Sequence, residues 1–396
     1  MTTSIITLLV LCLSIPVSAT TWTLTDLGTL GGSESFAYAV NDFGQVAGVS
    51  RVTGDSSTHA FLYSNGEMTD LYPLNSQDLL TAGPTGINNL GQIASGVMSQ
   101  GVYYPAIYES SSHQISILGS LGGVTSYGFS GVATAINNIG QAVGYSYIDG
   151  LNRHAFVIRN GTMVDLGSFG GDSGALALND SGVAVGFVSD SASGFGVAAM
   201  WTSSGITAIC GNIQSTARGI NNRGRIVGEL FNGTDTRAFL YDEGAVTQLG
   251  TLQTGRTSVG YKINASGQIV GNADVISSID TLVDPESGQF YYRTNYQDHA
   301  FLYDNGSMVD LNTLIATNSG WKLNYASDIN ESGQIAGYGL FDGNFHAYVL
   351  TPVPEPSAFV LAALGAGALV VSYRRKRRAT SITPRPLPPR RHSENL

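Results

Sequence analysis

Short apolar segments alternate with glycine-containing turns along most of the chain, and one unit of this alternation recurs. The unit has an apolar residue, the turn sequence Asn-x-x-Gly, a second apolar run and another Gly, as in residues 40–48. Its Asn occurs seven times, at Asn41, Asn88, Asn137, Asn179, Asn221, Asn264 and Asn330. Successive copies are 47, 49, 42, 42, 43 and 66 residues apart. Periods of this size are typical of repeat folds built from one supersecondary unit.

A second element follows the first six copies, and its clearest forms are residues 59–71, 154–166 and 299–311. Each begins His-Ala-Phe, contains Asn-Gly and ends in Asp-Leu. Asn-Gly between apolar runs favours a two-residue hairpin turn, and Asn-x-x-Gly suits a tight turn. Each repeat therefore predicts two hairpins. In the first repeat the four strands are predicted near residues 36–40, 45–50, 60–63 and 68–71.

Four strands per 42 to 49 residues match one blade of a β-propeller, and seven copies predict seven blades across residues 20–351. The seventh copy stops at residues 346–350 without a fourth strand. Residues 21–27 form a fourth strand that lacks a third one, and they share the Asp-Leu ending. We therefore predict an all-β, seven-bladed propeller closed by its N-terminal strand. An open β-solenoid is the alternative fold, although it does not explain the displaced strand.

The two ends of the chain carry features of export. Residues 5–17 form an apolar run before Val17-Ser18-Ala19, so residues 1–19 predict a signal peptide that signal peptidase removes between Ala19 and Thr20. Residues 358–373 contain no charge and predict a single short transmembrane helix. A basic cluster follows at once and consists of Arg374, Arg375, Lys376, Arg377 and Arg378. Such a cluster marks the cytoplasmic end, which places residues 20–356 outside the cytoplasm at the inner membrane.

The C-terminal order resembles the PEP-CTERM sorting signal of Gram-negative bacteria. Residues 352–378 contain the motif Val353, Pro354, Glu355 and Pro356, the predicted helix and the basic cluster. The resemblance implies processing by an exosortase-like enzyme, with release to the outer envelope or extracellular matrix. Members of that family usually end at the cluster, whereas residues 379–396 continue here as a Pro/Arg-rich tail that we expect to be disordered. The His-Ala-Phe repeats resemble the HAF family of extracellular repeats, which implies an exported repeat protein and no particular activity.

Composition and charge narrow the set of partners. The 396 residues include 50 Gly, as expected for a chain with many turns, and the formal net charge is −10. Residues 20–356 hold 11 of the 19 basic and 28 of the 29 acidic residues, a net of −17. A body this acidic repels phosphate backbones, so nucleic acid is not an expected partner. Cys210 is the single cysteine outside the leader, and no internal disulfide is predicted for the mature chain.

Two repeated side chains could be mistaken for sites. Metal binding would need His59, His154, His299 and His346 to converge, but equivalent positions in different blades are spread around the ring. We predict a structural role for them, such as a hydrogen bond at the start of the third strand, and no resident cofactor or metal. The repeated Asp26, Asp70, Asp165 and Asp310 are predicted to secure backbone near turns rather than to act in catalysis. Glycine-rich segments at 27–32, 118–123 and 166–171 are predicted to link blades.

The 66-residue interval predicts a long loop between the second and third strands of the sixth repeat, at residues 273–298. Its candidate ligand residues are Asp280, Asp284, Glu286, Tyr291, Tyr292, Arg293, Tyr296 and Asp298. Carboxylates beside tyrosines can bind a sugar or coordinate Ca²⁺. A solvated hairpin extension is the alternative interpretation. In every blade this connection shares one face of the disc with the links between blades, where length varies and function is expected.

These features predict an exported cell-envelope protein whose propeller acts as a non-enzymatic binding or structural module. The expected partner is an exopolysaccharide or an envelope protein. The alternative function is that of a polysaccharide-active hydrolase or lyase in which Asp284 and Glu286 act as acid and base.

Overall fold

The turn sequences form the hairpins that their chemistry predicts. In the first Asn-x-x-Gly turn, the Gly44 amide donates to the Asn41 carbonyl at 3.0 Å, and Gly44 has φ of 74°. The Asn41 side-chain oxygen accepts the backbone amides of Phe43 and Gln45 at 3.1 and 3.0 Å. At the second turn, Asn65 and Gly66 both have positive φ, 54° and 86°, as a type I′ hairpin requires. Local sequence alone therefore specifies both hairpins of a repeat.

The computed structural model describes residues 21–71, 79–190, 195–253, 255–283 and 290–353. One compact unit comprises Trp22–Pro352. It contains 28 strands and no α-helix among the described residues. The predicted cleavage site Ala19/Thr20, the motif residues 354–356, the helix at 358–373 and the cluster at 374–378 lie outside the described residues. Within the described ranges, the chain has no helix of sufficient length and apolar character to cross a bilayer.

The strands form seven four-stranded antiparallel sheets. Blade 1 comprises β2 (Gly31–Val40), β3 (Val46–Val52), β4 (Thr58–Ser64) and β5 (Glu67–Asp70). Blade 2 comprises β6 (Leu79–Ile87), β7 (Gln92–Ser99), β8 (Val102–Glu109) and β9 (Gln114–Ile117). Blade 3 comprises β10 (Gly131–Ile136), β11 (Ala142–Tyr147), β12 (Arg153–Arg159) and β13 (Thr162–Gly167). Blade 4 comprises β14 (Gly170–Leu178), β15 (Ala184–Asp190), β16 (Gly196–Thr202) and β17 (Gly205–Ala208).

The remaining blades include the long arm and the closure. Blade 5 comprises β18 (Ser215–Ile220), β19 (Ile226–Phe231), β20 (Thr236–Asp242) and β21 (Ala245–Gly250). Blade 6 comprises β22 (Ser258–Ile263), β23 (Ile269–Val283), β24 (Phe290–Asp304) and β25 (Ser307–Asp310), and a 3-10 turn follows at Leu311–Thr313. Blade 7 comprises β26 (Trp321–Ile329), β27 (Ile335–Phe341), β28 (Asn344–Val353) and β1 (Thr21–Asp26).

The predicted closure by the N-terminal strand is confirmed. Strand β1 is the fourth strand of blade 7 and pairs with β28. Just beyond β1, the Leu27 amide donates to the Ala347 carbonyl at 3.0 Å. The two ends of the repeat region thus share one sheet, which excludes the open solenoid. The predicted seven-bladed propeller is therefore the fold of Trp22–Pro352.

The apolar core lies between neighbouring blades. One cluster joins Val143 and Val157 of blade 3 to Leu178 and Trp201 of blade 4. The second residue after the repeat histidine is fully buried at Phe61, Phe156, Phe301 and Tyr348. Each inner sheet face is covered by the next blade, which explains why the strands contain so little charge.

One glycine of the repeat is required by this packing. A Cβ atom at Gly48 would overlap both the Phe36 carbonyl oxygen and the ring of Phe61. The equivalent Gly144, Gly228 and Gly337 would likewise overlap a carbonyl of the first strand. The second Gly of the motif therefore permits the first strand and the core aromatic to approach the second strand closely.

The seven repeat asparagines form a closed ring. Each side-chain nitrogen donates to the main-chain carbonyl of the Asn in the next blade, from Asn41 to Asn88 and finally from Asn330 back to Asn41, at 2.9 to 3.2 Å. The seven residues are only 2 to 5% exposed. Because these amides are buried, each unmade bond would leave a polar group without solvent. The ring therefore connects all seven blades at the axis.

The ring predicts a large cost for loss of one member. We expect Asn221→Ala to lower the free energy of unfolding by about 2 kcal/mol or more, since it leaves the Asn264 carbonyl and turn amides unpaired. Asn222→Ala is the matched control, because Asn222 is exposed, and it should cost about 1 kcal/mol or less. Denaturant titration of both variants measures the difference. Equal losses would contradict a structural role for the ring.

Closure predicts that the N-terminal strand is essential to cooperativity. Deletion of residues 20–27 removes the fourth strand of blade 7 and exposes the edge of β28, so we expect loss of the cooperative thermal transition. Calorimetry of the deleted chain beside a chain lacking only residues 379–396 tests this. A transition that is unchanged by the first deletion would argue against closure.

Candidate functional site

The repeat histidines and aspartates pair with each other. The Nδ1 atom lies 2.8 Å from a carboxylate oxygen in His59–Asp70, 2.9 Å in His154–Asp165 and 2.6 Å in His299–Asp310. His346 makes the same contact with Asp26 at 3.2 Å, across the closure. Each pair connects the start of the third strand to the end of the fourth. The predicted hydrogen-bonding role of the histidines is thus confirmed, and their partner is the repeat aspartate.

The aspartates also secure backbone, as predicted. Asp26 accepts the Gly28 amide at 2.8 Å, Asp165 accepts the Gly167 amide at 2.7 Å, and Asp310 accepts the Asn312 amide at 2.9 Å. Gly28 and Gly167 have φ of 73° and 74°, so these glycines make the turn into the link between blades. In three of the four pairs the Asp follows the His by 11 residues, and this interval was a sequence signal for the pairing. Among the described residues, no group of three or more His, Cys, Asp or Glu side chains converges as a metal site would require.

The segment predicted as a loop in blade 6 is largely a pair of strands. Strands β23 and β24 are 15 residues each and stay paired from Ile269–Tyr303 to Val283–Phe290. This arm extends the hairpin beyond the disc, so the described part matches the alternative of a hairpin extension. Asp284 and Glu286 lie outside the described residues, and Tyr291 is described only as the strand partner of Leu282.

Asp280 and Asp298, the described carboxylates among the predicted ligand residues, do not form an acid/base pair. Asp280 accepts hydrogen bonds from Asn295 and Arg293 at 2.8 and 2.9 Å, and these contacts hold the pKa of Asp280 below its usual value. Asp298 lies five residues farther along the strand than Arg293, the partner of Asp280, or about 17 Å at the usual strand rise. Catalytic carboxylates of glycosidases are at most about 9.5 Å apart. These two groups therefore have separate roles.

Asp298 belongs to a polar cluster between blades 6 and 7. Its carboxylate accepts the Tyr325 hydroxyl at 2.7 Å and the Asn272 side-chain amide at 2.8 Å. The Tyr325 ring stacks on Tyr338 at 4.7 Å between centroids, and Tyr338 contacts Tyr38 of blade 1 at 6.4 Å. Burial raises the pKa of Tyr325 and Tyr338 above the usual value, so both phenols stay protonated at neutral pH. Sequence analysis did not identify this cluster.

A depression between blades 5 and 6 lies at the base of the arm. Its volume is about 300 Å³. It is lined by Phe231, Thr234, Asp235, Thr236, Arg256, Thr257, Asp274 and Tyr296. Phe231 is 42% exposed and Tyr296 is 38% exposed, so two aromatic side chains reach solvent beside polar groups. Of the predicted ligand residues whose side chains the structure describes, Tyr296 alone lines this depression. Tyr292, which is 74% exposed, lies farther along the arm.

Ion pairs and backbone hydrogen bonds hold the polar groups of the depression in place. The Arg256 guanidinium donates to one oxygen of Asp235 at 2.7 and 3.0 Å, and the Asp235 side chain is only 14% exposed. Asp274 accepts the backbone amides of Arg256 and Thr257 at 2.6 and 2.7 Å. The Arg256 side chain remains 53% exposed.

The opposite face of the disc carries the mouth of the central channel. A cavity of about 410 Å³ is lined by five of the seven ring asparagines, by apolar side chains such as Ile87 and Ile220, and by the residue after each ring Asn. The latter residues are already engaged, because Asp42 accepts the Glu331 amide and Asp180 accepts the Asn138 amide, each at 2.9 Å. The turns at this mouth are regular, and their polar groups are hydrogen-bonded to one another.

Comparisons with known proteins match two segments of the chain. A family model described as "Protein of unknown function (DUF3466)" matches residues 171–344, from the first strand of blade 4 to the start of β28. A model of the PEP-CTERM protein-sorting motif matches residues 352–378, which confirms the resemblance at the C-terminus. Neither is a HAF-repeat family. No curated protein matches the chain. The sorting motif supports export, envelope association and processing by exosortase-type machinery.

Three of the similar solved structures are each 15% identical or less. TolB from Acinetobacter baumannii is 15% identical with a TM-score of 0.41, and the match covers 54% of this chain and 52% of that one, so it spans about half of TolB. The β-propeller domain of the Trilobed protease from Pyrococcus furiosus is 9% identical with a TM-score of 0.46 and coverages of 71% and 82%. Oligogalacturonate lyase from Vibrio parahaemolyticus is 9% identical with a TM-score of 0.44 and coverages of 84% and 94%. These distant likenesses bear on no activity.

The His–Asp pairs predict a pH-dependent contribution to stability. Burial alone would raise the pKa of Asp310, but hydrogen bonds from His299 and Asn312 outweigh burial and hold it below the usual value. The carboxylate therefore stabilises the fold above the unfolded pKa of about 3.9, and this contribution is lost as pH falls through the lower folded pKa. We expect Asp310→Asn to cost about 1–3 kcal/mol near pH 7.

The difference between wild type and Asp310→Asn should shrink as pH falls below about 4. Denaturant titrations at several pH values measure it. Asp342→Asn is the control, since Asp342 is exposed in a turn with φ of 48°, which Asn tolerates. A pH-independent difference would show that the carboxylate charge is not what stabilises the pair.

Proposed function

We propose that the protein is an envelope polysaccharide-binding propeller, and that the depression between blades 5 and 6 is its ligand site. The observation that carries this proposal is the pairing of two solvent-exposed aromatic side chains with a fixed Arg256–Asp235 ion pair in one concave site. Aromatic rings stack on the apolar faces of sugars, and charged planar groups bond to their hydroxyls. The volume of about 300 Å³ is at the lower end of small-ligand sites.

The location also fits a binding role. The depression is formed by the connection between β19 and β20, the link into β22 and the base of the arm, and these belong to the face where loops vary. Because Asp274 fixes the backbone at Arg256 and Thr257, the polar groups are preorganised before a ligand arrives. Preorganised side chains on a rigid scaffold are typical of binding sites.

Electrostatics narrow the ligand class. The exported body carries a formal net charge of −17, so a highly anionic polysaccharide would be repelled at long range. Asp235 and Asp274 of the depression are offset by Arg256, which also lines it, and by Arg237, which pairs with Asp235 from beside it, so the site itself has little net charge. The ligand that this arrangement favours is a neutral or sparsely charged glycan chain.

Export and anchoring complete the proposal. Residues 1–19 serve as a signal peptide, and the helix at 358–373 holds the chain at the inner membrane until an exosortase-like enzyme acts on the sorting motif. Support comes from the match to the sorting motif and from the apolar and basic pattern of the two ends. The His-Ala-Phe repeats then represent a HAF-type extracellular scaffold, consistent with the propeller that they form.

Loss of one aromatic face should weaken sugar binding. We expect Tyr296→Ala to reduce affinity for exopolysaccharide fragments purified from the host by about tenfold, the equivalent of 1.4 kcal/mol. Tyr292→Ala removes a more exposed tyrosine from the same arm and should leave affinity unchanged. Isothermal titration calorimetry of both variants and wild type makes the comparison.

Two outcomes would contradict the proposal. Equal affinity in wild type and in both variants would show that the depression is not the binding site. Release of shortened or unsaturated sugar products by wild type, lost in Glu286→Gln, would instead identify a hydrolase or lyase that uses Glu286.

A further inference from the structure

Three neighbouring blades expose an apolar side chain at the same turn position. This position is the second residue after the ring Asn, and it holds Phe43, Leu90 and Ile139 in blades 1, 2 and 3, with exposures of 75%, 61% and 64%. The other four blades place Ser181, Arg223, Ser266 and Ser332 there. The apolar tips therefore form one arc on the rim of the channel mouth, and we call it the apolar arc.

The chain leaves the propeller on this same face. Strand β28 runs from the face of the arm to the face of the mouth and ends at Val353. Near its end, the Gln334 side chain donates to the Thr351 hydroxyl at 3.4 Å, and Pro352 lies 3.5 Å from where a Cβ of Gly333 would be. Both Gly333 and Gln334 belong to the first turn of blade 7. Blade 1, which begins the apolar arc, is the next blade in the ring.

Few residues separate Val353 from the predicted transmembrane helix. Four residues, 354–357, precede the uncharged stretch 358–373. From Val353 to residue 358 the chain makes five residue steps, which span about 17 Å when fully extended. If 358–373 lies in the membrane, as the proposed anchoring requires, the exit face is held within that distance of the lipid surface.

We infer that the mouth face of the anchored propeller docks on the lipid bilayer, with Phe43, Leu90 and Ile139 inserted at the interface. This inference rests on the anchoring part of the proposed function and is independent of the sugar site. Singly exposed apolar residues need no explanation, but three neighbours on the tethered face match the pattern of interfacial anchors.

The charged residues on the mouth face indicate which lipid headgroups it can contact. Asp42 and Glu331 are exposed at the mouth, whereas Arg223 is the only cation among the seven tip positions. Anionic headgroups would be repelled, so the partner is a zwitterionic surface such as phosphatidylethanolamine with phosphatidylcholine. Docking in this orientation points the arm and the depression away from the membrane, toward an envelope ligand.

Depth-dependent quenching tests the docking on the full chain in nanodiscs of these two lipids. A fluorophore is attached at Ile139→Cys or, as the matched control in the same blade, at Leu151→Cys, which is 85% exposed on the opposite face. The background carries Cys12→Ala, and the remaining Cys210 is buried. The seven residues of β12 separate the two faces by about 23 Å.

We expect a lipid with a spin-labelled headgroup to quench the Ile139 site by about twofold or more and to leave the Leu151 site unchanged, since interfacial side chains lie roughly 5–10 Å into the headgroup region. Leu90→Cys should repeat the result, and replacement of part of the lipid by phosphatidylglycerol should weaken it. Equal quenching at both faces would overturn the docking. A chain that fails to remain with the discs would overturn the anchor, while the affinity of Tyr296→Ala for sugar would still report on the ligand site.

Discussion

The fold depends on the buried side-chain amide of the repeat Asn, which forms hydrogen bonds both within its own turn and to the next blade. Each ring Asn accepts backbone amides of its own turn through its oxygen and donates through its nitrogen to the carbonyl of the Asn in the next blade. The first set shapes a hairpin, and the second sets the distance between blades at the axis. No other side chain of similar size offers an acceptor and two donors at once, so a single residue type performs both tasks in every repeat. Seven such links form a ring only if the last blade meets the first, and the shared sheet of β1 and β28 brings them together.

Much of this architecture could be predicted from the sequence, because the same pattern of turns and strands occurs seven times. Asn-Gly and Asn-x-x-Gly specified the turns, and the unpaired strand at residues 21–27 specified closure. The partners of the repeated polar residues were harder to predict. Spacing shows that Asn41 and Asn88 recur, but it cannot show that one donates to the other, since that contact depends on how blades pack. Three of the His–Asp pairs share an 11-residue interval in the sequence, whereas the pair His346–Asp26 forms only through closure of the ring.

The candidate site was largely beyond sequence analysis for a related reason. Asp235 and Arg256 lie in different blades, in connections that follow no period, and only the packing of blade 6 on blade 5 joins them. The arm was predicted as a loop because its length departs from the repeat, whereas its two strands stay paired from Ile269–Tyr303 to Val283–Phe290. The repeated sequence therefore predicts the propeller scaffold. Segments that depart from the repeat indicate where the candidate site lies, but they do not predict its geometry.

Closure of the ring can be tested by hydrogen exchange at the backbone amide of Leu27. Native-state hydrogen exchange compares Leu27, which donates to Ala347 across the closure, with Ile209, which makes the equivalent bond to Ala198 within the covalently continuous blade 4. Closure through β1 and the asparagine ring predicts that both amides exchange only by global unfolding, with the same free energy of opening. Exchange of Leu27 at a distinctly lower free energy, with Ile209 still protected, would contradict a ring closed by its first strand.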